Sequence, residues 1–196
     1  GPRVAERVFV TRHIKEHMPE AFDFDIPSVC AIAPGVLGVT GVETMDIVFG
    51  VANKVKPDLI IAVDALASRR AARISTTIQL SDSGISPGSG VGNTRADLSR
   101  ANLGVPVIAV GVPLVVYAST ISQDTISLIA DETGLHGDEA RLRELAEQVI
   151  AKHMGDFIVT PKDIDVIVED MAGIIANAIN SALFGNNLEQ VRNMLA

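Results

Sequence analysis

Asp64 closes the stretch Asp58-Leu-Ile-Ile-Ala-Val-Asp64 and is followed by Ala65-Leu66-Ala67 and then Ser68-Arg69-Arg70. A carboxylate at the mouth of an apolar strand loses water, which suits general acid–base work. The same position equally suits an acid that caps the turn after the strand. Hydrolysis by paired acids needs a second carboxylate about 3 Å away, so that one group holds a proton while the other activates water. Glu43, Asp46, Asp82 and Asp97 are the candidates in this chain. Glu43 also reads as a helix-capping residue, Asp46 as a solvated one and Asp82 as a turn residue. Arg69, Arg70 and Arg73 form a basic cluster in a chain whose net charge is −8. Such a cluster is either a solvated, salt-bridged surface or a contact for acidic side chains of a peptide or a neighbouring subunit.

The remaining reactive residues point to less. His13 and His17 are four apart and would share a helix face, but Ile14, Lys15 and Glu16 between them do not complete a His-Glu-x-x-His zinc motif. His136 and His153 lie in polar surroundings and read as surface residues. Cys30 is the sole cysteine, which excludes an internal disulfide and a cysteine zinc cage. Its place in the apolar run Val29–Ala33 predicts a core side chain. Pro87-Gly-Ser-Gly-Val-Gly-Asn93 is glycine-rich, yet it lacks the lysine and spacing of a phosphate loop. It reads as a lid or structural loop, with a phosphate- or nucleoside-binding α/β protein as the alternative. Ser68 and Ser81 have no Gly-x-Ser-x-Gly context. Neither a metal nor a cofactor is expected.

These residues need a scaffold. The chain has 196 residues, 47% apolar and 20% charged, which predicts a single domain, 1–196, with a real core. Its acidic balance argues against gripping nucleic acid through phosphates. Uninterrupted apolar runs stay below the roughly 18–20 residues that span a bilayer. The first residues lack a signal-peptide pattern. The cysteine usage predicts an intracellular, reducing setting. With no Trp and six Phe, the core is expected to be Val, Ile, Leu and Ala.

Periodicity predicts a helix over 2–13, a buried strand at Val29–Ala33, and a helix over Thr40–Val55 with Thr40 as cap and Glu43 completing a capping box. Asp58–Asp64 is apolar throughout, as for a central parallel strand covered on both faces. Ile74–Ser81 reads as a strand nearer an edge. Ser83–Leu103 reads as a long loop with a short helix at Asp97–Ala101, and Val105–Val112 as a second buried strand. Helices follow over 113–131, over 138–153 with Leu142, Leu145, Ala146 and Val149 on one face, and from Thr160 as cap to about Leu183. Residues 136–196 are thus mostly helical. Strands alternating with helices give an α/β layered sheet, with ligands outside the carboxyl ends of its strands.

Six stretches resemble one family, the germination protease of spore-forming bacteria. They are Val10-Thr-Arg-His13, Ala33-Pro-Gly-Val-Leu-Gly-Val-Thr-Gly-Val-Glu-Thr44, Pro57-Asp-Leu-Ile-Ile-Ala-Val-Asp-Ala-Leu-Ala-Ser-Arg69, Ser81-Asp-Ser-Gly-Ile-Ser-Pro-Gly-Ser-Gly-Val-Gly-Asn93, Val105-Pro-Val-Ile-Ala-Val-Gly-Val-Pro113 and Val159-Thr-Pro-Lys-Asp-Ile-Asp165. The resemblance implies an endopeptidase, made as a zymogen and assembled as a tetramer, that degrades small acid-soluble spore proteins in the spore core, which is cytoplasmic. It implies a mixed, mostly parallel sheet flanked by helices, like that of the hydrogenase-maturation proteases, with a helical C-terminal segment. It implies an atypical aspartic-type mechanism, and the Val-Asp-Ala-Leu-Ala-Ser-Arg motif assigns one catalytic aspartate to Asp64. The acidic recognition residues of such substrates would make Arg69 and Arg70 substrate-binding. Neither a membrane nor direct nucleic-acid contact is implied.

The family's other aspartate lies in a Thr-Pro-Asp-Ala-Leu-Gly-Pro motif, of which Gly1-Pro2 matches the last two residues. The expectation is therefore a C-terminal fragment that lacks the second acid and the first strand. A fragment that folds and assembles without chemistry is the alternative to an active peptidase.

Overall fold

Asn180 and Thr11, two buried polar residues, hold together the backbone around the start of the chain. The computed structural model describes residues 1–21, 24–87, 96–134, 137–153, 155 and 157–195. Its strands are β1 (Ile60–Ser68), β2 (Gln79–Ser81), β3 (Val107–Tyr117) and β4 (Ile158–Val159). Its helices are α1 (Pro2–Ala5), α2 (Arg12–His17), α3 (Leu37–Thr40), α4 (Thr44–Val55), α5 (Arg100–Leu103), α6 (Ala118–Thr133), α7 (Glu139–His153), α8 (Ile164–Phe184) and α9 (Leu188–Leu195). The chain divides into two units, Gly1–Val55 with Asp165–Ala196, and Lys56–Ile164.

In the first unit, Asn180 on α8 accepts the Phe9 N–H at 2.9 Å and donates to the Arg7 carbonyl at 3.0 Å. Thr11 Oγ1 donates to the Pro27 carbonyl at 2.6 Å and accepts the Val29 N–H at 3.0 Å. The Val29 carbonyl accepts the N–H groups of Thr11 and Arg12. These bonds explain two departures from the sequence reading. The helix expected over 2–13 splits into α1 and α2, because the backbone at residues 7–9 is bonded to Asn180 instead of continuing a helix. Val29–Ala33 forms no strand, and Cys30 is exposed instead of buried. That run is bracketed by Pro27 and Pro34, and its first carbonyl is occupied by Thr11 and Arg12.

Around these bonds Ile26, Phe184 and Val191 are buried, with Phe9, Phe24, Val29, Leu183, Leu188 and Leu195 packed against them. Phenylalanine thus supplies much of this core, beyond the aliphatic residues expected. Arg3 and Arg7 both pair with Glu169 on α8. Gly41, with φ of 70°, ends α3 in the left-handed conformation. The Thr40 hydroxyl bonds Val36, Val42 and its own turn instead of capping α4. The Glu43 carbonyl accepts the N–H groups of Asp46 and Ile47 as α4 begins.

The stretch Ile164–Leu195, which contains α8, is long enough and apolar enough, at a mean hydropathy of 1.3, to cross a membrane by length and composition. Glu169 and Asp170 interrupt its apolar run. Ala172, Ile175, Ala176, Asn180 and Phe184 are its buried residues, and 22% of its apolar window is buried.

The second unit holds a mixed sheet with helices, of strand order β1-β3-β2, and β4 also pairs β3. Its longest ladder is parallel: Ile60 pairs with Val107 and the register runs on to Ser68 with Val116. Leu66 pairs with Pro113 but Ala67 with Val115, so Leu114 is an extra residue on β3. Thr160 Oγ1 donates to the Leu114 carbonyl at 3.0 Å, so Thr160 secures this bulge instead of capping a helix, and α8 starts only at Ile164. β2 and β4 are antiparallel to β3.

Both apolar strands outrun their predicted ends. β1 continues through Ala65-Leu-Ala to Ser68, and β3 passes through Pro113 to Tyr117. Proline is tolerated there because its backbone faces away from β1, on the side where β2 has already ended, and its carbonyl accepts the Ser75 N–H at 2.8 Å. The expected strand over Ile74–Ser81 shrinks to β2. On α7, Leu142, Leu145 and Val149 are exposed, not buried as their shared face predicts.

Asn180→Leu leaves a buried N–H and a carbonyl without partners. It should lower unfolding stability by about 2 kcal/mol or more, read as a urea midpoint shift at constant slope, while Thr11→Ser, which keeps its hydroxyl, stays near wild type.

Candidate functional site

The β1–β3 ladder places Asp64 in the middle of β1, half-buried, rather than at its end. Its register partner is Gly111, and Gly111 pairs on its other side with Gln79. Asp64, Gly111 and Gln79 therefore form one row across the sheet. At a strand spacing of about 4.8 Å the two outer residues are about 10 Å apart, with a bare glycine between them.

Gly111 is bare for a reason. A Cβ there would lie 2.3 Å from Leu66 Cδ1 and 2.8 Å from Leu66 Cγ. Leu66 is two residues beyond Asp64 and shares its face. Its side chain occupies the space that a residue-111 side chain would take, beside Asp64.

The phase of β1 follows from the Ile60 N–H, which donates to the Pro106 carbonyl. Alternate residues 60, 62, 64 and 66 thus aim their backbone groups at β3, and 61, 63 and 65 aim theirs at the opposite edge. Among the described residues no strand pairs with that edge. Nor does the Asp64 carboxylate have a hydrogen-bond or ion-pair partner among them.

Of the other candidate acids, Asp82 and Asp97 share the unit of Asp64. Asp82 follows the end of β2, about 10 Å across the sheet and about 10 Å along it, too far to share a proton. The Asp97 carboxylate accepts a hydrogen bond from Asn102 Nδ2. Glu43 and Asp46 belong to the other unit, where Asp46 is exposed on α4. Asp25 is held below the usual carboxylate range by the hydrogen bond and charge of Lys15. It is a surface pair of that same unit.

Beyond Asp64, β1 delivers the basic cluster. Ser68 is buried, and its Oγ donates to the Arg70 carbonyl and accepts the Arg70 N–H. The next N–H, of Ala71, donates to Asp124 Oδ2 on α6 at 2.7 Å. This turn presents Arg69 and Arg70, both exposed, about 17–20 Å along the chain from Asp64. Among the described residues no acid pairs with Arg69, Arg70 or Arg73, and all three are exposed.

His13 and His17 do share α2 and are exposed. Among the described residues no group of three or more His, Cys, Asp or Glu could hold a metal. His153 is exposed at the end of α7. His136 and the glycine-rich stretch 88–93 lie outside the described residues.

Sequence reasoning missed Gly111 and Asp124. For Gly111 a signal was present, since a glycine inside an apolar strand marks a close approach of neighbouring atoms. Asp124 is one polar residue among several on α6, and no local pattern singles it out.

A family model described as germination protease matches residues 1–141 and 131–194. The germination protease of Clostridium tetani is 46% identical over 198 residues, covering 93% of this chain and 61% of the relative. That of Caldanaerobacter subterraneus subsp. tengcongensis is 46% identical over 208 residues, covering 100% of this chain and 64% of the relative. That of Bacillus cereus is 41% identical over 228 residues, covering 93% and 62%. The chain thus spans less than two thirds of the length of these relatives.

Asp124→Ala frees the Ala71 N–H. Deuterium exchange at residues 70–73 should accelerate by about tenfold or more, while Asp124→Asn, which keeps a carbonyl acceptor, should stay near the wild-type rate.

Proposed function

The chain belongs to the germination protease family, and on that premise we propose that it carries one catalytic acid, Asp64, of an endopeptidase that begins the degradation of small acid-soluble spore proteins during germination in the spore core. In this reading residues 1–196 belong to one peptidase domain, related in fold to the hydrogenase-maturation proteases and assembled as a homo-oligomer. The observation that carries the reading is the placement of Asp64. It is half-buried in mid-strand, without a partner among the described residues, beside an edge of β1 that no strand covers there. A carboxylate in a structural turn would instead be spent on nearby N–H groups, as Asp124 is on Ala71.

The chemistry is of the aspartic type. Asp64 takes a proton from water as the water oxygen attacks the peptide carbonyl. A second carboxylic acid about 3 Å away stabilises the new oxyanion and supplies the proton that leaves with the amine. Asp82 lies too far across and along the sheet to be that acid. The second acid approaches instead from the side of β1 away from β3. Arg69 and Arg70, beyond the end of the same strand and without an acidic partner among the described residues, form a subsite for acidic side chains of the substrate.

The test is cleavage of a small acid-soluble spore protein by this chain, by its Asp64→Asn variant, and by the chain extended with the preceding sequence of a relative. Cleavage by the extended protein that is lost with Asp64→Asn is the expected result. Undiminished cleavage by Asp64→Asn in either background removes Asp64 from the chemistry. If neither background cuts, the chain is an assembly module and not a peptidase. The Arg69→Glu, Arg70→Glu double variant should lower kcat/KM by about tenfold, mostly through KM, and unchanged kinetics would end the subsite assignment.

A further inference from the structure

Gly111 is a glycine in the centre of a strand that is otherwise nearly all Val, Ile, Ala, Leu and Pro. A glycine there weakens a strand, since it orders more backbone and packs no side chain. Its φ is not in the left-handed region, so backbone conformation does not require it. What requires it is Leu66, whose Cδ1, Cγ and Cδ2 would lie 2.3, 2.8 and 3.3 Å from a Cβ at position 111. The overlap reaches Leu66 Cγ as well as its methyl groups, so clearing it takes a turn of the whole side chain about its Cα–Cβ bond and not a shift of its tip alone.

Leu66 is also tied from its own strand. It pairs with Pro113, the last position before the Leu114 bulge, and beyond it the register steps. Pro113 is fully buried and its carbonyl is bonded to Ser75. Gly111 is the register partner of Asp64, and Leu66 is the next residue along on the same face. Leaning over Gly111, Leu66 becomes the aliphatic wall on the β3 side of the Asp64 carboxylate.

We infer that Leu66 and Gly111 are positioning residues for Asp64: Leu66 seated in the gap over Gly111 fixes the strand register and the flank of the carboxylate, so that the acid faces only the side away from β3. The inference rests on the reading of Asp64 as a reacting acid. Its geometric part stands apart from activity.

The experiment compares Gly111→Ala and the double variant Leu66→Ala, Gly111→Ala in this chain. Carboxyl groups of aspartate are labelled with carbon-13, the Asp64 signal is assigned by its loss in Asp64→Asn, and spectra are read at one fixed pH beside urea midpoints. In Gly111→Ala the Asp64 signal should move while that of Asp46, in the other unit, stays, and the midpoint should fall. Shortening Leu66 makes room for the added methyl, so the double variant should return the Asp64 signal and the midpoint toward wild type. An unmoved Asp64 signal in a folded Gly111→Ala, or a double variant no closer to wild type than the single, overturns the inference. If Gly111→Ala does not fold, recovery of a folded spectrum by the double variant supports it, and failure of both overturns it. Because these readouts need no cleavage, retained cleavage by Asp64→Asn would sink the peptidase role of Asp64 and leave the seating of Leu66 intact.

Discussion

β1 and β3 are joined by a parallel ladder that holds its register from Ile60 to Leu66 before the bulge at Leu114 takes up one residue. A parallel ladder allows no slip here. A shift of one residue would turn Asp64 to the other face and drive the Leu66 side chain into that of Val110 or Val112 in place of the gap at Gly111. The same ladder decides which backbone groups of β1 are spent on β3 and which are left at the opposite edge. The turn with Arg69 and Arg70 hangs from its far end, and Ser68 and Asp124 secure that turn by two backbone N–H groups.

The first unit obeys a different constraint. Among the described residues its buried polar side chains are Asn180 and Thr11, and each satisfies one backbone donor and one backbone acceptor of neighbouring segments. Burying such groups is tolerable because none of these atoms is left unpaired. The phenylalanines at 9 and 184, with ring centres 6.1 Å apart, close over the same region. The long apolar helix α8 is thereby a structural spine of this unit, with a polar residue, Asn180, at the point where the chain start is clasped.

Much of the sheet was legible in the sequence. Unbroken apolar runs marked β1 and β3 as parallel strands, and the chain order of strands and helices pointed to an α/β architecture; β3 is buried, but β1, expected to be central and covered on both faces, is mostly half-buried and ends the order of the described strands. Their ends were not legible, since Ala65-Leu-Ala and Pro113 belong to strands only because neighbours satisfy their backbones. Val29–Ala33 shows the converse: an apolar run makes a strand only if a ladder partner exists, and here Thr11 and Arg12 take its first carbonyl. Thr40 and Thr160 matched the pattern of helix caps, yet their hydroxyls bond to turns and to a bulge that no local window contains. Asp64 stood out by residue type and setting, and the Val-Asp-Ala-Leu-Ala-Ser-Arg motif implied a role for it. Its partner row, with Gly111 and Gln79, emerges only once three strands are laid side by side.

In the proposed reaction the Asp64 carboxylate meets the reacting carbonyl of a peptide. The most direct measurement is a crystal structure with a spore-protein peptide in which one amide is replaced by a hydroxyethylene group, a mimic of the tetrahedral intermediate. The hydroxyl is expected within about 3 Å of the Asp64 carboxylate, with Leu66 still seated over Gly111. A hydroxyl bound elsewhere, with Asp64 turned into a hydrogen bond of the protein's own backbone, would contradict it.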